Sequence, residues 1–310
     1  MGITVAVTGC NSYFASTLLP RLEADPEVDT IVGIDIVPQN NRGGKIRFKT
    51  ADVRSHQTAK LLKGADIVYH LAFVVSDFQD EAAARDINVN GSRNVFRACV
   101  QHGVRKVIYA SSMTVYGARP DTPPGLTEDA PLFEHADSPY NSCKIEVERI
   151  ARQIVGKAPG TILTILRAGL LCGPHINNMF SRLWERRIAA MPLNRHPHLQ
   201  LIHEEDLAEA MELARKIDLP GVFNVCADDT IATRWAFRAA GARIVYLPSR
   251  LLKIVSNLLF RLRLDTVSGG WVSLGEHTIF GDCSRFKQAA GWQPRFTSRQ
   301  TFEDFLASRR

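Results

Sequence analysis

The sequence predicts an α/β protein with a doubly wound parallel sheet, in which helices cover both faces of the strands. Short apolar runs alternate with longer segments whose apolar residues repeat every 3.6 positions. The runs are apolar at nearly every position, as strands buried on both faces require. The apolar runs lie at 3–8, 30–35, 45–49, 66–72, 104–110 and 161–167, and the periodic segments between them at 12–24, 55–63, 80–102 and 140–156.

Beyond about residue 170 the alternation loosens and prolines interrupt it, although helices are still predicted at 178–189, 204–217, 231–240 and 284–290. We therefore expect a nucleotide-binding domain over 1–170, which also receives strands from about 199–226. The remaining residues, 171–310, form a smaller C-terminal substrate lobe in this interpretation. Open α/β sheets bind ligands at the carboxyl ends of their strands, so the lobe is expected to close over that edge.

Composition excludes several classes of protein. The 310 residues are 45% hydrophobic and 23% charged, which is typical of a globular protein, and no apolar run is long enough to span a bilayer. No basic, leader-like segment precedes the first strand, so a cytoplasmic location is expected. Six cysteines without CxxC or metal-ligand spacing predict reduced thiols and no metal site.

The charge is uneven along the chain. The net charge is +6, and residues 151–310 carry 22 Lys+Arg against 14 Asp+Glu. This basic half suits an anionic small molecule, an acidic membrane surface or a solvated surface. No basic run interleaved with aromatic residues is present, so nucleic acid is not expected as a partner.

The first strand ends in a turn of the kind that binds phosphate. Gly9 permits a tight bend, and Ser12 and Ala15 are small residues where the backbone approaches a pyrophosphate and where the helix meets the strand. We expect Gly9, Ser12, Tyr13 and Phe14 to contact a dinucleotide. A plain strand–turn–helix is the alternative.

The second strand ends at Asp35, 26 residues after the glycine of this turn. A carboxylate there accepts hydrogen bonds from ribose hydroxyls and repels a 2′-phosphate, which favours NAD, although Arg42 leaves NADP open. Asp52 and Val53 are expected beside the adenine, with a helix cap as the alternative for Asp52. The glycine turn and the acidic residue at the end of the second strand together predict a Rossmann-type sheet.

The candidate chemistry lies at Ser112, Tyr140 and Lys144. Ser112 follows a strand, and Tyr140 and Lys144 are spaced i and i+4, on one face of a helix. A nearby ammonium favours the phenolate and should lower the tyrosine pKa from about 10. Such a set transfers a proton at a carbinol or carbonyl carbon while a nicotinamide carries the hydride. An exposed helical pair is the alternative.

With these motifs on one chain, the sequence resembles the extended short-chain dehydrogenase/reductases, the NAD-dependent epimerase/dehydratase family. The resemblance implies that Tyr140 is the acid/base, that Lys144 lowers its pKa and binds the nicotinamide ribose, and that Ser112 orients the reacting oxygen. It also implies a homodimer through helices 80–102 and 140–156. Further residues are implied to line NAD (Leu71, Ala72, Phe73, Gly169) or the substrate (Thr114, Asn178).

Departures from the family pattern concern the substrate. Members that act on sugar nucleotides carry an arginine where this chain has His198-Leu199-Gln200-Leu201, and dehydratases carry an acidic residue where Met113 and Thr114 stand. Three readings therefore remain open: a sugar-nucleotide 4-epimerase, a reductase or dehydrogenase of a lipid, steroid-like or secondary-metabolite alcohol, and a non-catalytic protein that senses NAD(H).

Segment 249–264 has an amphipathic pattern in which Leu251, Val255, Leu258 and Leu262 form one stripe. We expect this stripe to pack on the substrate lobe. The alternatives are a helix that covers an apolar substrate and a cationic helix that contacts a membrane surface.

Overall fold

The computed structural model describes residues 2–40, 43–75 and 80–309, and its centre is a parallel sheet of seven strands. The strands of the described residues are β1 Ile3–Thr8, β2 Val28–Asp35, β3 Ile46–Thr50, β4 Ile67–His70, β5 Lys106–Ser112, β6 Ile162–Ala168, β7 Leu170–Cys172, β8 Ile188–Pro192, β9 His198–Leu199, β10 Leu201–His203, β11 Gly221–Val225, β12 Ile231–Ala232 and β13 Arg243–Leu247. In the central sheet the strands lie side by side in the order β11-β6-β5-β4-β1-β2-β3. This arrangement confirms the predicted fold class.

Helices cover both faces of the sheet. One apolar layer packs β1 and β4 against α1, α7 and α11, and the other packs the same sheet against α2, α4 and α5. Alternate residues of each strand enter opposite layers, which explains why the strands are apolar throughout. The helices are α1 Tyr13–Ala24, α2 His56–Leu61, α3 Glu81–Arg85, α4 Ser92–Gln101, α5 Pro139–Ile154, α6 Met179–Trp184, α7 Glu204–Lys216, α8 Thr233–Ala239, α9 Ser249–Arg261, α10 Gly269–Gly275, α11 Ser284–Ala290 and α12 Ser298–Ala307.

The helix predicted over 80–102 is divided by a π-helical turn at Asp86–Gly91. The turn presents Asn88, whose side chain bonds both the N–H and the carbonyl of Val74 at 2.7 and 3.0 Å. A Cβ at Gly91 would lie 2.5 Å from Val53, so the backbone approaches its neighbour closely here. The interruption therefore fixes the segment after β4, which periodicity alone does not reveal.

The chain after β6 departs most from the predicted elements. The helix predicted over 178–189 ends at Trp184, because Ile188–Pro192 forms a strand that pairs with Arg243–Leu247. Strand Gly221–Val225 returns to the edge of the central sheet beside β6. The division into a domain over 1–170 and a lobe over 171–310 stays a prediction.

Within residues 2–40, 43–75 and 80–309, no helix combines the length and the apolar character that crossing a bilayer requires, and no three His, Cys, Asp or Glu side chains are grouped so that they could hold a metal ion.

Candidate active site

A cavity of about 570 Å³ opens at the carboxyl ends of the central strands. Its walls come from the ends of β1, β4, β5 and β6, the start of α5, and helices α6 and α10. The structure thus brings most of the predicted site residues to one place. The predicted residues that line the cavity are Ser12, Tyr13, Phe14, Leu71, Phe73, Ser112, Thr114, Tyr140, Lys144, Gly169 and Asn178.

Ser112 is oriented by the residue two positions after it. The hydroxyl of Ser112 accepts hydrogen bonds from the backbone N–H of Thr114 at 3.2 Å and from its hydroxyl at 3.0 Å. Because both contacts use the lone pairs of Ser112, its own proton stays available for another acceptor. The hydroxyl of Tyr140 is within hydrogen-bonding contact of it.

Lys144 lies deep in the site, with 4% of its surface exposed. Its Nζ donates to the carbonyl oxygen of Ala110 at 2.7 Å and stands 3.7 Å from the ring centroid of Phe73. Burial lowers the pKa of Lys144 to about 7, and the carboxylate of Glu148, one helical turn further on, opposes that shift. Lys144 therefore changes charge near neutral pH.

The ring of Tyr140 lies between two aromatic rings. Its centroid is 5.5 Å from that of the Phe73 ring and 5.0 Å from that of the Trp271 ring. Burial raises the pKa of Tyr140 to about 12, and its hydrogen bond with Ser112 offsets part of that rise. The expectation of a lowered pKa is wrong for the protein alone. The Nζ of Lys144 lies 5.9 Å from the centroid of the phenol ring, and burial dominates the pKa of Tyr140. At neutral pH Tyr140 is therefore a proton donor.

The start of α5 is tied to the strand end that carries Ser112. Pro139 occupies the first turn of the helix, where a missing N–H costs nothing. The side chain of Asn141 donates to the carbonyl oxygens of Thr114 at 2.6 Å and Phe133 at 3.1 Å. These bonds set the position of Tyr140 relative to Ser112.

A buried ion pair supports the same wall from below. Arg167 donates from Nε and Nη2 to both oxygens of Glu148, at 2.9 and 2.7 Å, and both side chains are 1% exposed. Ser111 donates to Glu148 at 2.6 Å, and Tyr116 accepts from Arg167 at 2.9 Å. The carboxylate of Glu148 near Lys144 is thus held in place by contacts that join β5, β6 and α5.

The predicted phosphate-binding turn has the geometry that close backbone approach requires. Gly9 has φ +73°, and a Cβ there would lie 2.5 Å from the backbone N of Ala72. Ser12 caps α1 by accepting from the N–H of Ala15 at 3.3 Å. Asp35 accepts from the N–H of Asn11 at 3.0 Å, so its carboxylate lies beside the turn. These residues fit a dinucleotide whose ribose meets Asp35.

Not all predicted cofactor residues reach the cavity. Asp52 is held by Arg54 through bonds of 3.0 and 2.6 Å, and Ser55, not Asp52, caps the next helix, so the alternative role of Asp52 as a cap is wrong. Val53 packs on Gly91. The predicted contacts of Gly9, Asp35, Asp52, Val53 and Ala72 with NAD stay predictions. Arg42 lies outside the described residues.

The far wall of the cavity is apolar, and the sequence did not predict it. Trp271 lines the cavity, and its ring lies in edge-on contact with that of Phe180, 5.2 Å between centroids. Helix α10 brings it there, because Gly270 allows close packing on the carbonyl of Asp137. Leu199, Leu274 and Ile279 complete this wall. No local pattern indicates such a role; these residues are far apart in sequence.

The first three residues of the stretch at 198–201, His198, Leu199 and Gln200, line the same cavity, and none of them is an arginine. Gln200 donates to the carbonyls of Ala227 and Gly281 at 2.7 and 3.0 Å and accepts from the N–H of Gly281 at 2.8 Å. Its amide is therefore engaged with backbone. Arg182, on α6, brings a guanidinium to the lining.

Several curated proteins are similar to this chain. An uncharacterised protein of Mycobacterium tuberculosis is 27% identical over 317 residues, covering 98% of this chain and 84% of that protein. An N-acetyl-α-D-glucosaminyl-diphospho-ditrans,octacis-undecaprenol 4-epimerase of Escherichia coli O157:H7 is 34% identical, over 56% of this chain and 50% of its own length. A 3β-hydroxysteroid-dehydrogenase/decarboxylase of Arabidopsis thaliana is 30% identical, over 51% and 27%.

Solved structures share the fold over nearly the whole chain. MoeE5, in complex with UDP-glucuronic acid and NAD, superposes with a TM-score of 0.79 at 21% identity, covering 99% of this chain and 98% of that one. The UDP-glucose 4-epimerase of Thermotoga maritima gives a TM-score of 0.77 at 16% identity, with 99% and 98% covered.

A family model decides the assignment. The model of the NAD dependent epimerase/dehydratase family matches residues 5–226, which include the predicted phosphate-binding turn and the predicted set Ser112, Tyr140 and Lys144. The protein is therefore an enzyme of the NAD dependent epimerase/dehydratase family, with the extended short-chain dehydrogenase fold and NAD as its cofactor.

Proposed function

We propose that this protein transfers a hydride between NAD and a hydroxyl-bearing carbon of a substrate with a large apolar portion. The observation that carries the proposal is the cavity itself. Its polar wall holds Ser112, Tyr140 and Lys144, and the facing wall is formed by Phe180, Trp271 and neighbouring aliphatic side chains.

In this proposal the hydroxyls of Ser112 and Tyr140 converge on the substrate oxygen. Tyr140, protonated at neutral pH, gives its proton to a carbonyl oxygen as the carbon is reduced, and Ser112 holds that oxygen by a hydrogen bond. In the reverse direction Tyr140 must first lose its proton, which burial opposes. Bound NAD supplies the hydride donor or acceptor.

The residues that would hold NAD run from the turn to Lys144. Ser12, Tyr13 and Phe14 would meet the phosphates, and Asp35 the adenosine ribose. Lys144, whose Nζ is anchored on Ala110, would meet the nicotinamide ribose. The remaining predicted contacts would line the same path (Leu71, Ala72, Phe73, Gly169). A homodimer through α4 and α5 belongs to this proposal as an expectation.

The apolar substrate follows from the lining of the cavity. Phe180, Trp271 and Ile279 offer surface to a ring system or an alkyl chain, and Gln200 is already bonded to backbone. Contact with such a wall favours the binding free energy by about 25 cal/mol for each Å² of apolar surface removed from water. The steroid dehydrogenase among the relatives supports this class of substrate.

A 4-epimerase of a diphosphate-linked sugar is the second candidate. Asn178, which caps α6, and Arg182 on α6 both line the cavity, and the guanidinium of Arg182 suits a diphosphate. The relative from E. coli is named for a substrate of this type, in which the sugar is linked through a diphosphate to a polyprenol. Thr114 would then contact the sugar.

Cofactor binding and a substrate panel test the proposal. Fluorescence titration with NADH and NADPH should give micromolar binding of NADH. A panel of 3β-hydroxysteroids, long-chain secondary alcohols and UDP-sugars is then assayed by absorbance of NADH and by sugar epimerisation. Turnover of UDP-sugars alone would favour the second candidate. Failure to bind NADH would overturn both proposed functions, because each requires NAD as the hydride carrier.

Tyr140→Phe tests the acid/base role. We expect turnover to fall about 100- to 10,000-fold, because the ring stays but its proton is lost, while NADH affinity changes little. Steady-state assays of the substrate found in the panel and a parallel NADH titration measure both effects. Activity close to that of the unmodified protein would contradict the role assigned to Tyr140.

A further inference from the structure

Helix α9 turns its apolar stripe toward solvent. The sequence pattern predicted that this stripe packs on the substrate lobe, and that prediction is wrong. Among the residues of α9 only Leu252 is buried, whereas Ile254 is 64% and Leu258 is 55% exposed. The stripe of outward-facing apolar residues, which we call the α9 face, comprises Leu251, Ile254, Val255, Leu258 and Leu262.

The opposite side of α9 is held by polar contacts. Asn257 accepts from the N–H of Gly269 at 2.7 Å, and Lys253 pairs with Glu276 at 3.3 Å. Both partners are on or next to α10, so the inner side is committed to that helix. No residue of 249–264 lines the catalytic cavity, which speaks against a helix covering the substrate directly. The outward orientation of the α9 face is therefore fixed by the fold.

Further apolar side chains are exposed on the strands next to α9. Val245 and Tyr246 on β13 are 45% and 39% exposed, and Leu193, whose N–H donates to the carbonyl of Leu247 at 2.7 Å, is 47% exposed. Single apolar residues are ordinary on a protein surface, but five of them on one face of a helix, with others on neighbouring elements, indicate an interaction site.

The chain segments that carry this patch have charges of one sign, and the acidic residues next to them, Glu276 and Asp265, are paired with Lys253 and Arg186. Residues 230–264 contain seven Lys+Arg and no Asp or Glu, and residues 186–203 contain three Arg and no acidic residue. Arg243 and Arg250 are exposed at its border. The first acidic residue after α9, Asp265, is paired with Arg186 at 2.8 Å. A second copy of this chain, docked patch to patch, would set cations against cations.

We propose that the α9 face and its cationic border bind the surface of an anionic lipid membrane. Leucine and isoleucine side chains enter the boundary between headgroups and acyl chains, while arginines contact lipid phosphates. Helix α10 links this surface to the cavity, because Trp271 and Leu274 line the cavity on one side and α9 packs on the other. Docking thus places the apolar wall of the active site one helix away from the bilayer.

Vesicle co-sedimentation of the full chain tests this proposal without cofactor or turnover, so its result is independent of the proposed function. Vesicles of phosphatidylcholine, alone or with about one third phosphatidylglycerol, are compared at low and high salt. The unmodified protein should bind the anionic vesicles, and binding should weaken at high salt.

Three variants share the same loss of two units of net charge. Ile254→Glu/Leu258→Glu removes the apolar insertion, Arg250→Glu reverses a border charge, and Lys157→Glu, on the loop after α5, is the matched control. We expect at least about tenfold weaker binding for the first two, because each cation near an anionic surface contributes about fivefold and each buried leucine more. Lys157→Glu should bind like the unmodified protein.

Absence of binding to anionic vesicles, or equal loss in all three variants, would overturn the proposal. Sedimentation velocity identifies the competing occupant. Self-association that Ile254→Glu/Leu258→Glu abolishes, together with no vesicle binding, would assign the face to a second copy of the chain. Circular dichroism of each variant shows that a loss of binding reflects the surface and not unfolding.

Discussion

The two walls of the cavity are built in different ways. The polar wall is bonded to the backbone of neighbouring elements: Ser112 to Thr114, Lys144 to Ala110, and Asn141 to the same strand end as Ser112. The apolar wall meets the polar wall differently: Trp271 contacts Tyr140 through a ring–ring contact, 5.0 Å between centroids. The proposed catalytic set is therefore held by directional bonds, whereas the proposed substrate surface depends on packing that substitution can change without removing that set.

The largest expected effect concerns the ion pair under the polar wall. Arg167→Met leaves the carboxylate of Glu148 buried without its partner, and we expect a loss of about 3–5 kcal/mol in the free energy of unfolding. Urea denaturation measures it. Arg149→Met, which removes the exposed pair of Arg149 with Glu134 at 3.2 Å, is the control and should cost less than about 1 kcal/mol. Equal, small losses in both variants would show that the wall does not depend on this pair.

Removing one side chain of the apolar wall should affect substrate binding more than chemistry. With the substrate found in the panel, Trp271→Ala should raise KM by about 10- to 100-fold, since about 2 kcal/mol of apolar contact is lost, and should leave NADH affinity unchanged. Trp235→Ala is the control, because Trp235 contacts Phe302 and does not itself line the cavity. An unchanged KM in Trp271→Ala would remove the basis for an apolar substrate.

The pH dependence of stability tests the burial of Lys144. Its pKa is about 7 in the folded chain and 10.5 in the unfolded chain, so the unfolded chain binds more protons between these values. The free energy of unfolding should therefore rise with pH across this window, by up to about 1.4 kcal/mol per pH unit, and fall back as pH drops to 7.

Lys144→Met should remove this pH dependence. The substitution also changes the free energy of unfolding by a constant amount, but that change is the same at every pH and does not affect the slope. Denaturation curves at several pH values between 7 and 10, measured without cofactor, give the difference between the two proteins. A difference that does not change with pH would mean that Lys144 is solvated, and the pKa of about 7 would not hold.

The smallest expected effect concerns Ser12, which caps α1 and is also predicted to contact NAD. As the cap of α1, Ser12 accepts one backbone hydrogen bond, so Ser12→Ala should cost about 1 kcal/mol of unfolding free energy and Ser12→Gly only a few tenths. NADH affinity should survive in Ser12→Gly, since glycine permits the same close backbone approach. Equal stability of the two variants would show that the cap contributes little here.

Much of the site could be predicted because its signals are local. Gly9 follows a strand, Asp35 ends the next one, and Tyr140 and Lys144 share one helical face, so strand and helix periodicity places each of them at the carboxyl edge of the sheet. The π-helical turn at Asp86–Gly91 and the strand at Ile188–Pro192 were not predicted, because each depends on a partner far away in sequence.

The sequence by itself determined the parallel sheet, its nucleotide-binding turn and the residues of the polar wall, since all follow from periodicity and spacing within short segments. Only the tertiary structure decided that Trp271 faces Tyr140, that burial raises the pKa of this tyrosine to about 12, and that α9 exposes its apolar stripe. These features arise where distant segments pack together, and desolvation and orientation depend on that packing and not on any residue's neighbours in the chain.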